Sequence, residues 1–315
     1  EIRYCMLLMP FLKTKKIMIY KIFKLLTNPW KMISVIADYL GCILPDKLFL
    51  SIKYKAYYGV WPNLVKPRTF IEKINWLKIY GVKPEFTIMV DKVLSKDYVA
   101  SRIGRKYIIP TLGVWNKVED IDWGSLPSQF VIKTSHDSGG VVICKDKNSF
   151  DVDKAQKVLK SSMRRNFYKL FRERPYKNVP KKIIAEKYLQ NKESKDLSDY
   201  KFYCFNGEPM YCQVIRDRST HETIDFYDSN WNHMPFVGLN PGIENGDTAV
   251  ERPNCLNELL DKCRVLSEGC PFIRVDFYIV NNQPYFGELT FYPGGGFGYF
   301  SPVEWNAKLG DLIKL

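Results

Sequence analysis

The stretch that most restricts what this chain can become is Arg274–Gly296, RVDFYIVNNQPYFGELTFYPGGG. Strict alternation in its first half puts Arg274, Asp276 and Tyr278 on one face and Val275, Phe277 and Ile279 on the other. That is the period of a half-buried strand. Asn281-Asn282-Gln283-Pro284 has turn chemistry, and Tyr285–Phe291 reads as the returning strand. A three-residue loop centred on Asn282 makes paired positions sum to 564, so Asp276 faces Glu288 and Arg274 faces Thr290. Two carboxylates directly across a strand pair repel each other. A hard divalent cation between them removes the objection, because Mg²⁺ takes carboxylate and phosphate oxygens together. A solvated face with an Arg274–Asp276 ion pair is the other reading this stretch allows.

The rest of the chain narrows the choice. Its 315 residues can bury a substantial core and divide into two lobes. No segment approaches the ~20 continuous apolar residues of a membrane span. Cys5–Leu12 and Ile33–Leu44 are too short or are broken by Pro10, Asp38 and Gly41. The chain begins at Glu1, which is consistent with a missing or processed N-terminus. Lys13-Thr14-Lys15-Lys16 follows the first apolar run where a secretory signal needs small residues, so a cytoplasmic protein is expected. Eight cysteines without a CxxC read as free buried thiols. His136, His221 and His233 lack the spacing of a zinc site. A formal net charge of +13 calls for anionic partners. No zinc finger, helix-turn-helix or RNP-type motif accompanies that charge, so nucleic acid is not the expected partner.

Residues 1–60 read as a basic, helical N-terminal extension. In it Ile17–Leu26, with lysines three apart, can lie in an anionic membrane surface or pack on its own domain. A membrane-bound form would be peripheral on the inner face. Residues 61–125 read as helical: in Thr69–Tyr80 the cap is Thr69, with Glu72 three residues on, and Ile71, Ile74, Leu77 and Lys78 share one face. Val90–Gly104 reads as a further helix and Tyr107–Ile109 as a strand. Residues 126–190 read as a small lobe. Phe130–Lys133 and Val141–Ile143 are β-rich and flank Thr134–Gly140, a hairpin with a Gly-rich tip. Asp153–Phe171 is helical, and Lys182–Tyr188 is a strand. Residues 191–315 read as a large lobe, with hairpin Asp199–Phe205 and Met210–Arg216, helix Leu256–Leu266, and the Arg274–Gly296 hairpin.

Three features converge. Lys133, at a strand end, precedes a Gly-rich loop whose backbone amides can reach phosphate oxygens. The loop lacks GxxxxGK[ST], and a strand follows it where a P-loop has a helix. Glu186-Lys187-Tyr188 can offer backbone groups to a base and a carboxylate to a ribose. The paired carboxylates with their arginine come last. A lysine, a covering loop, a metal pair and an arginine together can neutralise a nucleoside triphosphate.

In this order FVIKTSHDSGG, IIAEKYL and RVDF…YFGELT resemble the phosphate-covering hairpin, adenine-side hinge and metal-binding strands of the ATP-grasp superfamily. FIEKINWLKIYG, the Asp91-Lys92 pair, IGRKYIIPTLGVW, DIDWGSLPSQFVIKTSHDSGG, DYKFYCFNG and FYDSNW narrow this to the TupA-like ATP-grasp family of bacterial surface-polysaccharide and teichuronopeptide biosynthesis. The resemblance covers roughly residues 60–305. It implies an α+β ATP-grasp fold, two lobes gripping ATP with Mg²⁺, and a helical N-terminal extension. It also implies that Lys133, Lys201 and Arg274 act on the phosphates and that Ser135, Ser138, Gly139 and Gly140 close over them. Glu186, Lys187, Tyr188 and Asp199 would hold the nucleotide, and Asp276, Glu288 and Thr290 the metal. The superfamily usually has asparagine at the position of Thr290. Arg216 and Arg218 can bind a substrate carboxylate or serve as surface ion pairs.

The function implied is an ATP-dependent carboxylate–amine ligase working through an acyl phosphate, with a carboxylated glycan and an amine as substrates. A nucleotide-sugar glycosyltransferase would also use Mg²⁺ and paired carboxylates but needs no Lys133–Gly140 flap. A non-catalytic nucleotide-binding protein is the third possibility.

Overall fold

In the computed structural model the described residues are 29–39, 41, 43–191, 196–239 and 242–315. Ile17–Leu26 lies outside them. Two antiparallel sheets organise the chain. The smaller has the order β1 (Thr111–Trp115), β4 (Ile183–Lys187), β2 (Phe130–Thr134), β3 (Val141–Cys144). The larger runs β10 (Gln283–Thr290), β9 (Phe272–Val280), β5 (Asp199–Phe205), β6 (Glu208–Arg216), β7 (Thr223–Asp228). A third pairing joins β8 (Val237–Gly238) to β11 (Phe300–Ser301).

Each large sheet has its own core, which is why there are two lobes. Val118, Ile121, Phe130, Ile132, Leu159 and Ile183 fill the one beneath the small sheet. A larger, aromatic-rich core surrounds the five-stranded sheet and takes in Phe202, Phe226, Phe272, Val275 and Phe277. All six described cysteines are free and buried; five of them (Cys204, Cys212, Cys255, Cys263, Cys270) lie in this second core.

Helices α1 (Pro29–Tyr39) and α2 (Asp46–Tyr58) pack together ahead of α3 (Phe70–Tyr80). The start of α3 is fixed reciprocally, as its sequence requires: Thr69 Oγ1 accepts from Glu72 N at 3.3 Å while Glu72 Oε2 accepts from Thr69 N at 3.3 Å. Ile71, Ile74, Leu77 and Lys78 all turn inward. Lys78 is the charged member of that face. It donates to the carbonyl of Gly295 at 2.5 Å, while Asn75 Nδ2 donates to that of Gly296 at 2.8 Å. These two side chains hold a turn in which Gly294, Gly295 and Gly296 all have positive φ, a run that glycine alone adopts cheaply.

Several elements depart from the sequence reading. The helix expected over 90–104 is two, α4 (Phe86–Val90) and α5 (Leu94–Ile103). Asp91 separates them, its Oδ1 accepting from Val93 N at 2.8 Å. The expected strand 107–109 is a 3₁₀ turn at Arg105–Tyr107 with a single bridge from Ile108 to Phe286, and the true edge strand begins at Thr111. The basic helix after β3 ends early as α6 (Val152–Arg164), and Asn166 caps a short α7 (Phe167–Phe171). In the large lobe α8 (Leu256–Ser267) covers the sheet, and α9 (Trp305–Leu312) packs on α3.

Candidate active site

The hairpin of β9 and β10 pairs Asp276 with Glu288 and Arg274 with Thr290, by a route different from the expected one. The turn holds two residues, Asn281 and Asn282, both with positive φ (51° and 61°), as a type I′ hairpin requires. Near the turn, pairs are Val280 with Gln283 and Phe277 with Phe286. A bulge at Gly287 then shifts the register by one and brings the carboxylates opposite each other. A side chain at 287 would approach the Asp276 carbonyl oxygen at 3.2 Å and the Tyr278 ring at 3.3 Å, tight contacts that glycine avoids.

Cations of the protein itself answer the repulsion between the two carboxylates. Arg274 donates from Nε to Asp276 Oδ1 and from Nη2 to Oδ2, both at 2.7 Å. Its Nη2 also reaches Glu288 Oε1 at 3.1 Å and Thr290 Oγ1 at 3.0 Å. Lys201, opposite Asp276 on β5, places Nζ 2.5 Å from Asp276 Oδ2 and 3.4 Å from Asp199 Oδ1. The expected ion pair of Arg274 with Asp276 is therefore present together with the carboxylate pair. Burial raises the cost of charging Glu288, but Lys201, Lys92, Arg274 and Lys133 prevail and hold its carboxyl at about 2.

Across the cleft, the pairing of β2 with β3 and β4 aligns Val131 with Ile143 and with Glu186, and Lys133 with Val141. These side chains share one face, and all five line the cleft. Glu186 is gripped between two ammonium groups, Lys133 Nζ on Oε2 and Lys96 Nζ on Oε1, each at 2.5 Å. Burial opposes its charge, yet Lys133 and Lys96 keep its carboxyl below the ordinary range. Lys92 donates to the Asp137 carbonyl at 2.8 Å and also lines the cleft. Burial drives its ammonium pKa down, and Lys133 adds to the effect. The cavity between the sheets measures about 680 Å³, large enough for a nucleotide. Ile109, Val131, Val141 and Ile143 give it apolar wall, and lysines and carboxylates line the remainder.

The structure gathers many of the expected residues at this cleft. Lys133, Ser138, Glu186, Lys187, Tyr188, Asp199, Lys201, Arg218, Asp276 and Glu288 line it, and Arg274 and Thr290 stand directly behind the last two. Four expected residues sit elsewhere. Ser135 is buried; its hydroxyl donates to Pro180 O at 2.9 Å and accepts from Lys182 N at 3.0 Å, anchoring the loop base. Gly140 packs where a side chain would meet Ser162 and Thr134, so it serves close approach. Arg216 is one residue out of phase with Ile215, the partner of Asp199, and so points to the opposite face of the sheet. There it binds Asp225 at 2.7 Å. Arg218, beyond the strand end, returns to Asp199 at 2.8 Å. Gly139 lies against the Arg165 guanidinium.

Sequence reasoning passed over Lys96, Lys145 and Asp137. Lys96 lies in the first turn of α5 and Lys92 in the break before it. Asp137 pins the loop by accepting from Ser162 Oγ at 2.7 Å and pairing with Arg165 at 2.6 Å.

Asp276 and Glu288 suit a hard cation. Both present carboxylate oxygens at neighbouring positions, and in this structure Lys201 and Arg274 supply the positive charge they require. Among the described residues there is no cluster of three or more His, Cys, Asp or Glu that could hold a metal alone. Any Mg²⁺ here would take oxygens from a bound phosphate as well.

Two antiparallel sheets closing on one cleft, with a strand-end lysine on one side and an arginine-backed carboxylate pair on the other, define an ATP-grasp protein. The family model for TupA-like ATP-grasp proteins matches residues 72–314, and the chain belongs to that family. No curated protein matches the sequence. Similar solved structures include the D-alanine–D-alanine ligase of Bacillus anthracis complexed with ATP (19% identity, 66% of this chain and 55% of that one, TM-score 0.38). The D-alanine–D-alanine ligase of Helicobacter pylori is 15% identical over 78% of this chain and 69% of that one, with a TM-score of 0.38. The ATP-grasp ligase PsnB with a phosphomimetic precursor variant, Mg and ADP is 11% identical over 73% and 59%, with a TM-score of 0.42. The match spans little more than half of the Bacillus anthracis enzyme.

Proposed function

We propose that this protein is an ATP-dependent ligase that joins a carboxylate to an amine through an acyl phosphate. The carboxylate would be a uronic acid of a surface polysaccharide or its precursor, and the amine an amino acid or a similar compound. The observation that carries the reading is the cleft itself, with Lys133–Glu186–Lys96 on one wall and Lys201–Asp276–Arg274–Glu288 on the other.

In the first step a carboxylate oxygen attacks the γ-phosphorus of ATP, the bond to the β–γ bridging oxygen breaks, and ADP leaves. In the second the amine nitrogen attacks the carbonyl carbon, inorganic phosphate departs, and the amine loses a proton to solvent or buffer. Little covalent work falls to the protein, so positioning and charge neutralisation dominate. Lys133 and Lys92 bind phosphate oxygens. Arg274 and Lys201 are placed to take up the charge that grows on the transferred phosphoryl group. Mg²⁺ held by Asp276 and Glu288 would add charge neutralisation to the phosphates. Arg218, half-exposed at the cleft and tethered to Asp199, is placed to receive the acceptor's carboxylate. ATP and a nucleotide-activated precursor pool both favour a cytoplasmic site of action.

The test is an ADP-release screen of uronic acids against amino acids, with hydroxylamine present in parallel as a trapping amine. The reading predicts carboxylate-dependent ADP and a hydroxamate. Release of a nucleoside diphosphate from a sugar donor, with no ADP from ATP, would replace it with glycosyl transfer.

A further inference from the structure

Helix α1 is built inside out for a protein surrounded by water. Its inward side, against α2, carries Ser34 and Ala37, the latter 2% exposed. Its outward side carries Met32, Val35, Ile36 and Tyr39, which are 42%, 41%, 47% and 83% exposed. Those positions follow i, i+3, i+4, i+7, one continuous stripe on a helix. Four large apolar residues on the outward side are not what burial in a core selects. The orientation is fixed, because Lys53 Nζ on α2 holds Asp38 Oδ2 at 2.6 Å. Trp30 lies on the same side as Ser34 and Ala37 and meets Trp61 edge-on with ring centroids 5.2 Å apart.

We propose that α1 docks the protein on an anionic membrane surface, with the stripe entering the boundary between headgroups and acyl chains. Charge selects this occupant over a second protein surface. Residues 1–31, which lead into and begin the helix, contain seven lysines and arginines and one acid, Glu1. Basic residues that precede an apolar helix in the chain are what anionic lipid attracts, and tyrosine favours the interfacial depth at which Tyr39 would sit. Among the described residues no helix is long and apolar enough to cross a membrane, so contact would be peripheral. This inference stands whether or not the ligase reading holds.

The full chain is tested by flotation with vesicles of phosphatidylcholine alone and of phosphatidylcholine mixed with phosphatidylglycerol. The protein should float with the anionic vesicles and not the neutral ones. Val35→Glu with Ile36→Glu should weaken that binding at least about tenfold, and Tyr39→Ser a few-fold, with melting temperatures unchanged. Absence of flotation, or equal flotation of wild type and both variants, would overturn the proposal. So would a lowered melting temperature in both variants without lost flotation, since the stripe would then be covered within the chain. A wild-type dimer that the double variant converts to monomer, without vesicle binding, would assign the stripe to a second copy.

Discussion

Asp276 sits between Arg274 and Lys201, and this changes what its removal should do. Repulsion from Glu288 alone would make Asp276→Asn neutral or stabilising. With two buried cations left short of a partner, the variant should instead lose on the order of 3 kcal/mol of stability, together with ligase turnover. Glu288 is more exposed and has one cationic contact, so Glu288→Gln should keep most of the stability and still cut turnover at least about a hundredfold. The pH dependence follows from the sign of its shift. A carboxyl held at about 2 in the folded chain, against 4.5 ordinarily, stabilises fully above 4.5, and that contribution is lost as pH falls toward 2. Urea midpoints measured across that window should therefore fall more steeply for wild type than for Glu288→Gln. On the opposite wall, Lys133→Ala should weaken ATP binding at least about tenfold by calorimetry, roughly 1.4 kcal/mol. Unchanged affinity would remove Lys133 from the site.

At the scale of elements, the β9–β10 hairpin depends on a two-residue turn and a bulge. Both turn residues have positive φ, which asparagine tolerates and alanine does not, so Asn282→Ala should cost about 1 kcal/mol while Asn282→Gly should not. Equal chemical-denaturation midpoints for the two would contradict this account of the turn. The same hairpin shows what the sequence could and could not tell. Period-two alternation revealed which face Arg274 and Asp276 occupy, because each misplaced residue would carry a charge into the core. The pairing of Asp276 with Glu288 came out correctly although the loop length did not, since the bulge at Gly287 adds back the residue that the shorter turn removes. Arg216 was left open between a substrate carboxylate and an ion pair because an arginine near a strand end reads as exposed on either face; its place on the face opposite to Ile215 gives the ion pair with Asp225. Ser135 looked like part of a flexible tip because serine signals polarity and not whether its hydroxyl already has partners. Lys92 lies in the break between two short helices and Lys96 in the first turn of the second, so no periodic pattern marks what faces the cleft.

For the whole molecule, the cleft forms where two separately cored sheets meet, and each contributes cations paired with a carboxylate. The small sheet and the helix leading into it bring Lys133, Lys92 and Lys96; the large sheet brings the carboxylate pair with Arg274 and Lys201. A triphosphate bound between them would take up the lysines and arginine that now pair with Glu186 and Asp276. The central claim is that a carboxylate oxygen attacks the γ-phosphorus at this junction. The most direct measurement is isotope transfer: a substrate uronic acid labelled with ¹⁸O in its carboxylate, turned over with ATP and an amine, followed by mass analysis of the phosphate released. The account predicts one labelled oxygen in inorganic phosphate for each amide formed. Amide or ADP appearing with unlabelled phosphate would contradict it.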